Sequence, residues 1–129
     1  MRALFLLTLL FLAPGTAFTQ NLFQQACSAN ARNTKEDIRI EFSDDLGNSG
    51  TLPISIIKGK TAGPVFTIVA GVHGYEYPPI VATQELLKGI LKEELSGTLI
   101  VIPIANPASF FTRTPFINPQ DNKNLNNAF

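Results

Sequence analysis

Residues 65–105, VFTIVAGVHGYEYPPIVATQELLKGILKEELSGTLIVIPIA, decide the fold class. VFTIVA at 65–70 is a nearly continuous β-prone run, as in an interior strand covered on both faces. From Pro79 the pattern changes, and Ile80, Thr83, Leu87 and Ile90 or Leu91 recur at helical spacing. Proline is tolerated in a first helical turn because its missing N–H is unpaired there anyway, while Gly89 weakens the helix by roughly 1 kcal/mol relative to alanine. After Ser96-Gly97, TLIVIPIA at 98–105 reads as a second buried strand. Strand, helix and strand within about 40 residues make a βαβ unit. The expectation is an α/β fold in which these two strands are parallel neighbours in a mixed or doubly wound sheet.

Working outward, Ile38, Ile40 and Phe42 alternate with Arg39 and Glu41, the period of a strand with one wet face that begins around Asp37. Residues 43–50 form a turn cluster. TLPISII at 51–57 is a second strand, placed at an edge because Pro53 lacks a donor for the ladder. Residues 18–36 are polar without steady periodicity and read as a flexible arm. Residues 1–17 read as a signal peptide: Arg2 is a short positive region, Leu4 to Leu12 an apolar run, and Gly15-Thr16-Ala17 a small-residue cleavage site. That run is too short to span a bilayer, which takes about 20 residues. The expectation is a secreted or periplasmic chain with no stable membrane insertion after the signal is removed.

Residues 106–129 are rich in asparagine and proline and read as a long structured loop. A loop after the carboxyl end of a strand is where open α/β sheets place ligands. The sequence supplies no closing helix, although interior strands need cover on both faces. Residues 37–129 are therefore expected to be the N-terminal portion of a larger domain, truncated on its C-terminal side.

Charge and cysteine usage exclude several classes. Ten basic and ten acidic residues balance, and no basic patch suits a nucleic-acid backbone. Cys27 is the single cysteine and cannot close an internal disulfide. As a nucleophile paired with His73 it is disfavoured by its place in the arm. Gly71-Val72-His73-Gly74 is neither a dinucleotide fingerprint nor a Walker loop, and no G-x-S-x-G elbow occurs.

His73, the only histidine, follows the first buried strand, with Glu76 three positions later. In a helical turn that spacing puts imidazole and carboxylate on one face, close enough to share a metal, and zinc accepts such N and O ligands. The plain alternative is a loop histidine and a solvated helix-capping glutamate. Spacing alone does not decide between them.

The succession GVHGYE, VIPIANPASFFTR and NKNLNNAF, spread over about residues 60 to 129, resembles the succinylglutamate desuccinylase and aspartoacylase family, related to zinc carboxypeptidases. The resemblance implies a zinc-dependent hydrolase of an amide or ester bond, with a small acylated substrate or a peptide as partner. His73 and Glu76 would be two of three protein ligands to one zinc ion, an incomplete set. Arg113 matches the arginine that polarises the substrate carbonyl. Asn126 matches the asparagine that holds the substrate's polar end. Asn127 stands in the substrate-binding position where the family has arginine, so a bidentate carboxylate clamp is lost. The family's third ligand, a histidine, and its water-activating glutamate lie farther along the chain than Phe129. These residues alone are therefore expected to be inactive. A carboxypeptidase acting on peptide C-termini and an inactive binding module are the alternatives, and oligomeric state is left open. Asn106-Pro107 reads as loop-shaping.

Overall fold

Alternating half-buried and exposed residues draw Thr34–Ser43 into a strand (β1) that pairs antiparallel with Ser49–Lys58 (β2), Ile38 facing Ile54 and Ile40 facing Leu52. The computed structural model describes residues 15–28, 30–43 and 47–128. A helix, Gly15–Ser28 (α1), precedes this hairpin. Thr61–Val69 (β3), helix Tyr77–Gly89 (α2) and Ser96–Ile102 (β4) follow it, then helix Pro107–Thr112 (α3) and a 3₁₀ turn at Leu125–Ala128. The sheet order is β1-β2-β4-β3, with β2 antiparallel to β4 and β3 parallel to β4. The expected parallel pair joined through a helix is present, in a mixed and unclosed four-stranded sheet.

Register explains the two-sided core. Ile56 faces Ile100 across the β2–β4 ladder, and Ile57 faces Leu99 one residue later, so successive side chains enter opposite faces. On one face Ile54, Ile56 and Ile100 pack with Ala26, Phe23 and Cys27 of α1. On the other, Ile57, Leu99 and Val101 pack with Leu87 of α2 and with Ile90 and Leu95 beyond it. Each fully buried aliphatic side chain contributes about 1.5–3 kcal/mol, so the central strands β2 and β4 hold most of the apolar stabilisation.

Three sequence expectations are corrected. β2 is interior, not an edge: its pairing with β4 runs only from Ser55 to Lys58, so Pro53 lies where the missing donor costs no bond to β4. β3 is the edge, not an interior strand, and Val65 and Phe66 are 66% and 65% exposed. Its apolar run reports local β preference and not burial. The arm expected over 18–36 is not an arm: α1 occupies most of it and β1 starts at Thr34. Phe23, Ala26 and Cys27 fall at i, i+3 and i+4, a narrow stripe that docks on the sheet. Of the proposed signal, residues 1–14 lie outside the described residues, and Gly15–Ala17 open α1. No helix among the described residues is long and apolar enough to cross a membrane.

Candidate metal centre

The carboxyl ends of β3 and β4 are stitched together before either chain turns away. Ala70 N–H donates to Ile102 O at 2.9 Å, Ala105 N–H to Ala70 O at 2.8 Å and Asn106 N–H to Gly71 O at 2.9 Å. Gly71 has φ +65, and a Cβ there would meet Ile104 Cα at 3.0 Å, so the chain reverses at a residue without a side chain. Residues 72–76 therefore leave the sheet at its C-terminal end, where an α/β sheet places ligands.

In that loop His73 Nδ1 lies 2.8 Å from Glu76 Oε1. Val72 N–H donates to Glu76 Oε2 at 2.8 Å, which fixes the carboxylate from behind. Glu76 is the residue at the N-cap of α2, yet its side chain makes no capping bond. The helix starts instead on Tyr77-Pro78-Pro79, where prolines leave no N–H to satisfy. Glu76 thus caps α2 by position and not through a side-chain bond. Both side chains are partly open, at 21% and 33% exposure, so the pair can be reached from solvent.

The 106–129 segment, expected as a loop, contains α3 and the 3₁₀ turn, and it folds back over His73. Asn106 is buried and accepts from Ser109 N–H at 3.1 Å, capping α3, which is the loop-shaping role expected of it. Thr114 N–H donates to Ser109 O at 3.0 Å and Gly74 N–H to Thr114 O at 3.2 Å, tying the end of α3 to the histidine loop. A Cβ on Gly74 would stand 2.2 Å from Thr114 O, so only glycine permits this approach. Phe116 meets the His73 ring edge-on with centroids 5.8 Å apart. Farther on, Asn118 N–H donates to Lys123 O and Asn122 N–H to Asn118 O, each at 2.8 Å. That turn delivers Asn124, whose Oδ1 lies 3.0 Å from His73 Nε2. The Asn124 bond raises the His73 pKa above the ordinary histidine value; burial opposes this, and the bond to Glu76 and its charge add to it.

The structure thus brings His73 and Glu76 together and adds Asn124, which sequence reasoning missed because it is one asparagine among several in this segment. Asn126 and Asn127 lie beside it: their N–H groups donate to Asn124 Oδ1 at 2.9 Å and Asn124 O at 3.0 Å. Their side chains are exposed, and Asn127 lines a groove of about 390 Å³ with Asp121, Lys123 and Asn124. Arg113 is not drawn to the pair by its side chain. It ends α3 in the left-handed region, φ 57, one residue before the Thr114 carbonyl that holds Gly74, and its side chain is exposed. Cys27 lies on α1 against the sheet, and burial raises its pKa while Lys58 lowers it.

The donors fit part of a zinc site. Two ligand atoms on one tetrahedral zinc, with bonds of about 2.0–2.1 Å, stand roughly 3.3 Å apart; Nδ1 and Oε1, at a hydrogen-bond distance of 2.8 Å, would separate slightly to share one ion. Among the described residues no group of three or more His, Cys, Asp or Glu side chains converges, so this pair is a partial ligand set.

Comparison with known proteins places the chain. The sequence profile of the succinylglutamate desuccinylase/aspartoacylase catalytic domain matches residues 62–129. The N-alpha-acetyl-L-2,4-diaminobutyric acid deacetylase of Halomonas elongata is 32% identical over 95 residues, 71% of this chain and 27% of that protein. A succinylglutamate desuccinylase/aspartoacylase from Rhodobacter sphaeroides superposes with TM-score 0.65 at 25% identity, over 76% of this chain and 31% of that one. The product-bound ectoine utilization protein EutE (DoeB) from Ruegeria pomeroyi gives 0.63 at 28%, over 77% and 31%. The chain thus spans about a third or less of the length of these relatives. With the histidine–glutamate pair at the end of the parallel strands and the profile match over the same segment, the chain belongs to the succinylglutamate desuccinylase/aspartoacylase family.

Proposed function

We propose that the polypeptide carrying these residues hydrolyses the amide bond of a small N-acylated amino acid, with His73 and Glu76 as two protein ligands of one zinc ion. The observation that carries this reading is the convergence of His73 Nδ1 and Glu76 Oε1 at 2.8 Å, within the segment matched to the family's catalytic domain. The activities of its relatives, a deacetylase of an acetylated diamino acid and a desuccinylase, support an N-acyl substrate. Bound at this pair, zinc supplies a Lewis acid and an acidified water for attack on an acyl carbon.

The chain's own groups do the rest of the binding and orienting. Val72 N–H holds the Glu76 carboxylate in place, and Phe116 limits how far the His73 ring turns. Arg113, exposed at its tip and anchored by the α3 C-cap, offers a guanidinium to the scissile carbonyl oxygen as negative charge develops there. Asn126 hydrogen-bonds the polar end of the substrate. A further histidine and a proton-accepting glutamate, as the family resemblance implies, complete the site, so these 129 residues alone do not turn over. Residues 1–17, read as an export signal, direct the protein to a secreted or periplasmic location.

Asn127 favours a second reading. An uncharged side chain at the family's arginine position weakens recognition of a free α-carboxylate, which suits a different acyl substrate or a binding module without catalysis. The test is to recover the native protein, record its intact mass and C-terminal peptides, and assay acyl release from N-acyl amino acids with and without a chelator. The expected result is a mass above the 14.0 kDa of this sequence with chelator-sensitive hydrolysis. A metal-free product ending at Phe129 without hydrolysis would favour the binding module.

A further inference from the structure

The groove lined by Asn127 adjoins the histidine–glutamate pair through Asn124, which is one of its walls and whose Oδ1 lies 3.0 Å from His73 Nε2. At about 390 Å³ it falls within the usual size of small-molecule sites, about 300–1,000 Å³. Among the described residues Lys123 is the one cation lining it and Asp121 the one anion; its other polar walls are asparagine amides. The backbone of Lys123 is pinned on both sides, its N–H donating to Asp121 Oδ1 at 3.0 Å and its carbonyl accepting from Asn118 N–H at 2.8 Å. The ammonium therefore departs from a fixed point one residue before the side chain that touches His73. Lys123 is exposed, and among the described residues its Nζ makes no hydrogen bond or ion pair. Asp121 commits Oδ1 to the main chain, and its negative charge stands on the same groove.

We infer that Lys123 receives the α-carboxylate of the N-acylated amino acid, and that Asp121 discriminates against substrates whose side chain carries a second carboxylate. This rests on the hydrolase reading above and adds the substrate class: N-acyl amino acids with one carboxylate and a neutral or cationic side chain. Asn126 and Asn127 bring only uncharged amides to this end of the site, and a hydrogen bond to an ionised donor is roughly twice as strong as one between neutral groups. A lysine ammonium is a compact point charge on a flexible stem, so it meets a carboxylate oxygen without demanding one orientation of the carboxylate plane. A second carboxylate entering the groove meets the like charge of Asp121, which is repulsive.

Three compounds isolate the charges: N-acetyl-L-glutamine, its α-carboxamide, and N-acetyl-L-glutamate. The native polypeptide is assayed for turnover with zinc and for binding by calorimetry after chelation, beside Lys123→Ala, Lys123→Arg and Asp121→Asn. Wild type prefers N-acetylglutamine to both analogues. Lys123→Ala raises KM and the metal-free dissociation constant for N-acetylglutamine roughly 10-fold, with kcat little changed and the α-carboxamide unaffected, and Lys123→Arg recovers most of the loss. Asp121→Asn keeps an Oδ1 for the Lys123 N–H and improves N-acetylglutamate about 5-fold relative to N-acetylglutamine. An equal loss on carboxylate and carboxamide in Lys123→Ala, or a wild type that prefers N-acetylglutamate, overturns the inference and leaves the hydrolase reading standing. Binding with the expected charge pattern but without hydrolysis overturns the hydrolase reading alone. A wild type that neither hydrolyses nor binds any of the three overturns both.

Discussion

Two halves of the same constellation are held in opposite ways. His73, Glu76 and Asn124 are locked by bonds of 2.8 to 3.0 Å and are joined from behind by the backbone N–H groups of Val72 and Asn126. Arg113, Asn126 and Asn127 are exposed, and among the described residues their side chains make no hydrogen bond. The groups proposed to meet an ion are fixed by the fold, as a metal site requires. The groups proposed to meet a substrate are carried on positions the fold fixes only through the main chain. The contrast predicts that changes in the first set disturb metal and structure, and changes in the second disturb turnover alone.

The largest effect is expected from Glu76→Ala, which removes a proposed ligand and leaves Val72 N–H without its acceptor. Acyl release by the native enzyme should fall to the level seen with chelator, and zinc added back should not restore it. Arg113→Ala should come next and break the comparison most cleanly. It removes a donor to the developing oxyanion, about 10²–10³-fold in kcat, while a urea titration should find stability within about 0.5 kcal/mol of wild type. A large stability loss would show that Arg113 belongs with the locked set.

Gly74→Ala tests the locked side through packing. Its new methyl group would collide with the Thr114 and Ser109 carbonyls, both under 3 Å away, so the expected loss is about 1–3 kcal/mol, read by urea midpoint. The smallest effect belongs to Asn106→Ala. Losing its bond to Ser109 N–H should cost about 1 kcal/mol, loosening α3 and with it the segment that folds back on His73.

Much of this was legible in the sequence, and the failures have physical causes. The βαβ order and the position of His73 after a strand follow from periodicity and from the glycines around it, and three ordered motifs gave the family. The edge and interior strands were exchanged because Pro53 and the VFTIVA run report local preference, whereas strand order is set by which ladders form and how long they are. Pro53 escapes its penalty because β4 stops pairing two residues away. α1 was hidden because Phe23, Ala26 and Cys27, which pack on the sheet, lie within a polar segment. Asn124 could not be singled out by residue type, since the property that matters is a distance to His73 across 51 positions of chain.

Equilibrium dialysis of the chain against zinc, alongside His73→Ala and Glu76→Gln, tests the central claim most directly. The account predicts at most one ion per wild-type chain, bound at the pair, with affinity reduced in both variants by more than the roughly 10–100-fold expected of a supporting residue. Zinc retained equally by wild type and both variants would contradict it, because the ion would then be held somewhere other than between His73 and Glu76.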